Sequence, residues 1–156
     1  MIVYRIAKSE KRATDLSGMG AYKEGGRWNN PGTYMLYSSE NSSLAYLESL
    51  VHFDAEDTPP DLYIMGIEVQ APENGIYMLP DKAYPKSWQA IGNLENRKIG
   101  DGMMNDRKYI AAKVRSAINT LEYNYLLNPL FPGYHDLVKV VSIERLQVDV
   151  RLIKTA

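Results

Sequence analysis

Cysteine is absent from all 156 residues and histidine occurs only twice. The first absence excludes a disulfide framework and any thiolate metal site, and it suits a reducing compartment. The second leaves zinc poorly served: His52 and His135 lie far apart, with no HExxH-like spacing. Neither sign of charge is in excess, with 18 Lys and Arg against 19 Asp and Glu and a formal net charge of -1. A protein that grips nucleic acid by neutralising phosphates needs a broad basic surface, so direct nucleic-acid binding is not expected. Long apolar runs are missing as well. No segment approaches the roughly 18 apolar residues of a membrane span, and the opening MIVYRIAKSEKR has no basic region followed by an apolar core. The expectation is a soluble, cytoplasmic protein with no metal and no membrane contact. Phenylalanine is scarce, 2 residues against 12 tyrosines; tyrosine joins an apolar ring to a hydrogen-bonding tip and suits wet pockets and interfaces.

The residues that are present predict one domain over 1–156, since 45% are hydrophobic and the length suits a single core. Ile2 to Ala7 reads as a strand and leads into KSEKRATDLSGMGAYKEGG, a polar segment without clear period. After the turn NNPG, TYMLYSS reads as a strand, and SENSSLAYLESLVHF opens on capping residues and continues at helical spacing. DTPPD breaks that helix. LYIMGIEV and NGIYML read as strands, SWQAIGNLENRK as a helix, KYIAAKVRS as a strand and LEYNYLLNP as a loop or short helix. LVKVVSIERL and VDVRLI read as two late strands. Strands outnumber helices without alternating with them, which predicts an α+β fold with a mixed, mostly antiparallel core and flanking helices.

Several polar residues stand where apolar ones are expected. Leu44, Leu47, Glu48 and Val51 are spaced to share one helix face, so Glu48 sits on an apolar stripe. It lies either at the stripe's edge, which spacing alone favours because unpaired charges are rarely buried, or against a pocket. Ile110, Ala112, Val114 and Ser116 alternate to one side of their strand, so Ser116 ends an inward row. A buried serine bonded to a backbone carbonyl explains this as well as a ligand contact does. Tyr37 shares a face with Met35 and reads as a core ring with its hydroxyl satisfied. In YKEGGRWNNPGTY, Arg27 could simply stack on Trp28. The flanking Gly25 and Gly26 favour close approach of backbone to a ligand instead, with Arg27 gripping phosphate or carboxylate as a fork and Trp28 anchoring the loop. No GK[ST] follows, and no GxGxxG fingerprint or GxSxG elbow is present. Glu48 and Glu68 could pair as glycosidase carboxylates, but the sequence does not set their separation.

Taken together, YRI, GGRWNNPGTYMLYSSENSSLAYLE and VRSAINTLEYNYLLNP resemble the RES-domain toxins of bacterial toxin–antitoxin systems, named for their Arg, Glu and Ser. The matching segments span most of the chain from Tyr4 to Pro129, and VDVRLI resembles the family's closing strand. The resemblance implies an active-site set of Arg27, Tyr37, Glu48 and Ser116, with Asn124 in support. Segment 85–106 departs from the family pattern, and VRS stands where VPS is usual, which touches the substrate-facing rim rather than the core set.

The resemblance further implies an ADP-ribosyltransferase-like fold, NAD as the substrate consumed, an Xre-type DNA-binding antitoxin as partner and a homodimer. Breaking the nicotinamide–ribose bond builds oxocarbenium-like charge on the ribose, which a carboxylate such as Glu48 would stabilise. Arg27 would hold the pyrophosphate or an attacking phosphate. Tyr37 and Ser116 share the remaining roles, on nicotinamide or on a ribose hydroxyl or phosphate. Water as acceptor makes a glycohydrolase, phosphate a phosphorylase, a protein side chain an ADP-ribosyltransferase. Two other classes compete: a catalytically silent nucleotide- or partner-binding module, and an RNA-cleaving toxin using His52 or His135, which the lack of a basic face disfavours.

Overall fold

A computed structural model describes residues 1–53, 56 and 61–153. Among them seven strands form one sheet: β1 (Ile2–Ala7), β2 (Leu36–Ser39), β3 (Asp61–Val69), β4 (Ile76–Met78), β5 (Ala111–Arg115), β6 (Tyr123–Leu127) and β7 (Val138–Gln147), in the order β4-β5-β6-β2-β1-β3-β7. Only β4 and β5 run parallel; every other neighbouring pair is antiparallel. Four helices flank the sheet among the described residues: α1 (Met19–Glu24), α2 (Ser42–Leu50), α3 (Leu94–Asn105) and α4 (Tyr134–Leu137). The mixed, mostly antiparallel α+β architecture is the one the strand pattern predicts.

Residues paired across antiparallel strands project to the same side of the sheet. Tyr37 faces Leu126 and Ser39 faces Asn124 across β2 and β6, while Leu126 faces Ala112 and Asn124 faces Val114 across β6 and β5. This side carries the cluster of Trp28, Met35, Leu79, Met104, Ala112, Val114 and Leu126. The other side carries Val3, Leu36, Met65, Ile67, Ala111, Leu127 and Tyr134 among its buried residues. Met35 and Tyr37 therefore share a face, as expected, and Leu36 lies on the other.

Five local readings change. The segment between β1 and β2 holds α1, a six-residue helix between Gly18 and Gly25, both at positive φ. LEYNYLLNP is not a loop or helix: its Tyr123, Asn124, Tyr125, Leu126 alternation pairs on both edges as β6. The helix expected over 87–98 begins only at Leu94, because Gly92 turns at positive φ and the Asn93 side chain accepts from the Glu95 and Asn96 amides. VDVRLI is not a strand: Asp149 caps a short 3-10 turn over Val150–Leu152. Finally, α2 buries Leu44 and Ala45, whereas Leu47 and Val51 are 39% and 60% exposed. The buried side thus runs through positions 44, 45 and 48, and the apolar stripe of the sequence points partly outward. The first four residues of DTPPD lie outside the described residues.

Candidate functional site

Helix α2 packs on β1 and β2, and its N-cap Asn41 accepts from the Leu44 amide. The same Asn41 donates its side-chain N–H to Glu122 Oε2, and Asn119 donates to Glu122 Oε1 at 3.0 Å. The turn between β5 and β6 thereby ties down the start of the helix. Two turns later, Glu48 projects towards the same hairpin. Its Oε1 accepts from Ser116 Oγ at 2.7 Å and from Asn124 Nδ2 at 2.7 Å. Both bonds fall on one oxygen, and Oε2 accepts nothing among the described residues. Ser39 Oγ donates to Asn124 Oδ1 at 2.7 Å, which fixes the amide so that its NH2 faces the carboxylate.

Ser116 is fully buried. Its hydroxyl donates to Glu48 and accepts from the Ile118 and Asn119 amides at 3.1 and 3.0 Å. A hydroxyl offers one donor and two acceptor positions, and here all three are occupied. The backbone-carbonyl bond that a buried serine would ordinarily make is replaced by a charge-assisted bond to a carboxylate.

Tyr37 stands one pleat repeat before Ser39, about 7 Å along β2. Its hydroxyl donates to Asn29 Oδ1 at 2.7 Å and accepts from the Trp28 amide at 2.9 Å. Burial pushes this hydroxyl well above the ordinary tyrosine range, opposed in part by the Trp28 amide and by the Arg97 and Arg27 guanidinium groups. The ring passes so close to the loop that a Cβ on Gly26 would lie 2.6 Å from the hydroxyl oxygen. Gly26 is thus required by Tyr37, while Gly25 takes φ +75° beside Pro31. Trp28 is 2% exposed and packs against Tyr84 and Trp88 at centroid distances of 6.0 and 6.2 Å. Burying a ring of that size removes roughly 200 Å² from water, on the order of 5 kcal/mol before entropy is counted. It anchors the loop, and Arg27 is left half-buried beside it.

The Arg27 guanidinium is aimed by carbonyls. Nη1 donates to Trp88 O at 3.0 Å and to Ala90 O at 3.4 Å. Asn96 Nδ2 also donates to Trp88 O, at 2.6 Å, and Asn93 Nδ2 holds Ser87 O at 3.2 Å. Gln89 Nε2 reaches the Ala117 carbonyl at 3.1 Å, so this segment spans from Arg27 to the turn after Ser116. The Arg27 loop and the Glu48 clamp are accordingly the two ends of one sheet face, joined through Tyr37, Ser39 and Asn124 on β2 and β6.

Sequence reasoning missed α3 as a support. Arg97 Nε donates to Gly26 O at 3.1 Å, and Asp101 accepts from the Asn30 amide and side chain at 3.0 and 2.8 Å. Ser39, Asn41 and Glu122 were legible only as capping or turn residues, because their partners lie more than 80 positions away. Among the described residues no group of three or more His, Asp or Glu side chains could hold a metal. His135 stacks edge-on against Tyr134, at 5.3 Å, and lines a groove of about 430 Å³ with Asp15 and Lys139 beside the other core cluster, away from Glu48.

The RES domain model matches residues 2–149. Toxin Res of Photorhabdus laumondii is 34% identical over 155 residues, covering 99% of this chain and 98% of its own. A protein named Prs ADP-ribosylating toxin from Sphingobium is 30% identical over 159 residues, covering 98% and 97% of the two chains. Among solved structures, a chain of the M. tuberculosis MbcT–MbcA toxin–antitoxin complex superposes with a TM-score of 0.63 at 16% identity, over 94% of this chain and 84% of that one. The long matched span and near-full-length relatives agree with the Arg, Glu and Ser held on one face: the chain belongs to the RES domain family.

Proposed function

We propose that this protein is the toxin of a toxin–antitoxin pair and that it degrades NAD at the nicotinamide–ribose bond. The observation that carries the reading is the Glu48 carboxylate, clamped through Oε1 by Ser116 and Asn124 with Oε2 open. A carboxylate fixed in this way can face charge that develops on a ribose without reorganising. The C1′–N bond breaks, its electron pair leaves with the pyridinium ring to give neutral nicotinamide, and the ribosyl C1′ becomes oxocarbenium-like. Glu48 Oε2 stabilises that charge and holds a ribose hydroxyl. Water or phosphate then bonds to C1′, and where water attacks its proton passes to solvent. Arg27 grips the pyrophosphate. Tyr37 shapes the Arg27 loop, and Ser116, with no hydrogen-bonding capacity left, positions Glu48 rather than touching substrate.

The test is nicotinamide release from NAD by the purified protein, with and without phosphate. Release without phosphate assigns a glycohydrolase, release that requires phosphate a phosphorylase, and no release under either condition, with no labelled protein product, overturns the reading. A protein ADP-ribosyltransferase is the second reading, favoured by the relative named Prs ADP-ribosylating toxin. It predicts transfer of label from NAD to a protein at a rate matching nicotinamide release. A silent binding module instead predicts that Glu48→Gln leaves growth arrest intact.

An antitoxin partner is supported by the apolar side chains exposed around the site residues. Leu47 on α2 and Val51 just past its end flank Glu48, Ile118 and Leu121 lie in the turn after Ser116, and Ile91 and Leu94 border the segment that aims Arg27; all six are exposed. Exposed apolar side chains around polar site residues fit a protein partner that covers them. Action in the cytoplasm and assembly as a homodimer belong to the same proposal.

A further inference from the structure

Helix α3 lies along the Arg27 loop and touches it at successive turns. Arg97 meets Gly26, Gly100 meets Trp28 and Asp101 meets Asn30. The Gly100 contact is so tight that a Cβ there would lie 1.6 Å from the Trp28 carbonyl oxygen. The Arg97 side chain is thus held against the peptide that immediately precedes Arg27. It uses Nε for that bond, and both Nη groups have no partner among the described residues. Arg27 in turn uses only Nη1, on two carbonyls, leaving Nε and Nη2 unoccupied.

Neither guanidinium has a carboxylate partner among the described residues. The ion pairs there are Arg115 with Asp81, Arg145 with Asp61 and Arg151 with Asp149. Asp101, one helical turn beyond Arg97 on α3, has both oxygens bonded to Asn30. Two half-buried cations on adjoining segments repel one another, and carbonyls aim them without neutralising them. That arrangement is completed by an anion, and a planar fork suits phosphate oxygens. Both groups also reach the Tyr37 hydroxyl electrostatically, with Asp101 acting there in the opposite sense.

Building on the proposed action on NAD, we infer that Arg97 is a second pyrophosphate-binding residue, taking one phosphate of a dinucleotide while Arg27 takes the other. The site then selects diphosphate-bridged substrates over monophosphates and nucleosides. Segment 85–106 supplies this contact through α3.

The test is calorimetric titration of inorganic pyrophosphate and ADP-ribose into the wild-type protein and Arg97→Gln. Glutamine keeps an N–H for Gly26 O and removes the charge. The expected result is at least tenfold weaker binding of both ligands by Arg97→Gln. In turnover, KM for NAD rises by a similar factor, kcat stays within threefold, and inhibition by nicotinamide, which has no phosphate, is unchanged. Arg97→Lys keeps the charge without the fork and should bind with intermediate affinity; it carries the test if the glutamine variant does not fold. Wild-type protein that fails to bind pyrophosphate, or variants that bind as tightly as wild type, overturn the inference. Pyrophosphate binding that depends on Arg97 in a protein that does not cleave NAD would sustain the inference and sink the function above.

Discussion

At the scale of single residues the division of labour on Glu48 makes a sharp distinction between holding and touching. Ser116 and Asn124 both donate to Oε1, and the Ser116 hydroxyl, with its donor and both acceptor positions filled, orients the carboxylate with nothing left to offer a substrate. Glu48→Gln should reduce NAD cleavage at least a hundredfold while the unfolding midpoint shifts little, measured by nicotinamide release beside a thermal melt. Ser116→Ala should lower kcat roughly tenfold or more with KM nearly unchanged, the pattern of a lost transition-state contribution. It also strips the Ile118 and Asn119 amides of their acceptor, at about 1–3 kcal/mol of stability. A raised KM with unchanged kcat would instead place the Ser116 hydroxyl on the substrate. Much of this was legible in the chain. Ser116 ends the row of Ala112 and Val114 because strand alternation is local, although Ile110, ahead of β5, falls in the other core, and Arg27 stands out because glycines flank it. The pairing of Ser116 with Glu48 was not legible, since it spans 68 positions and depends on how α2 rolls. Spacing placed Glu48 with Leu44, Leu47 and Val51, and tertiary packing kept Leu44 but took Ala45 in place of Leu47 and Val51.

At the scale of elements, α3 is the part least visible in sequence and most revealing in structure. Its two interior glycines weaken any helical signal, because glycine costs a helix interior about 0.8–1 kcal/mol relative to alanine. The structure separates them. A Cβ at Gly100 would collide with the Trp28 carbonyl, whereas at Gly102 nothing lies within 4 Å. Gly102→Ala should therefore stabilise the protein by about 0.4–1 kcal/mol and leave NAD cleavage unchanged. Gly100→Ala should destabilise it by about 1–3 kcal/mol or more and depress cleavage, since α3 must retreat from the Arg27 loop. Denaturant melts and turnover of the two variants decide this; equal effects at the two glycines would show that α3 does not brace the loop. Strand β6 was obscured for a different reason. Its tyrosines are amphipathic and its pairing partners lie far away in sequence. Tyr123 and Tyr125 rest under the Lys113 ammonium, at 4.5 and 5.7 Å, a cross-strand contact that becomes visible only when β5 and β6 are laid side by side.

At the scale of the whole molecule, the sheet divides two cores, and each contains a tyrosine hydroxyl that resists ionisation. Tyr37 bonds Asn29 and the Trp28 amide on the face that carries Glu48, while Tyr134 donates to Leu16 O at 2.8 Å on the other. Burial is the main reason both are held well above the ordinary tyrosine value. An unfolded tyrosine ionises near pH 10, so above that pH the unfolded chain releases protons that the folded chain retains. The stability contributed by each neutral hydroxyl is complete below about pH 10 and falls as pH rises, by up to about 1.4 kcal/mol per pH unit for each tyrosine. Urea unfolding at pH 9, 10 and 11 should accordingly show a flat midpoint followed by a steep decline. Tyr134→Phe should make that decline shallower without altering NAD cleavage at neutral pH, at the cost of one hydrogen bond, about 1 kcal/mol. Tyr37→Phe should make it shallower too, but it also frees the loop that carries Arg27, so its cleavage rate at neutral pH should fall. A decline equally steep in both variants would mean that other groups govern alkaline unfolding, and an undiminished cleavage rate in Tyr37→Phe would mean that Trp28 alone suffices to hold the Arg27 loop.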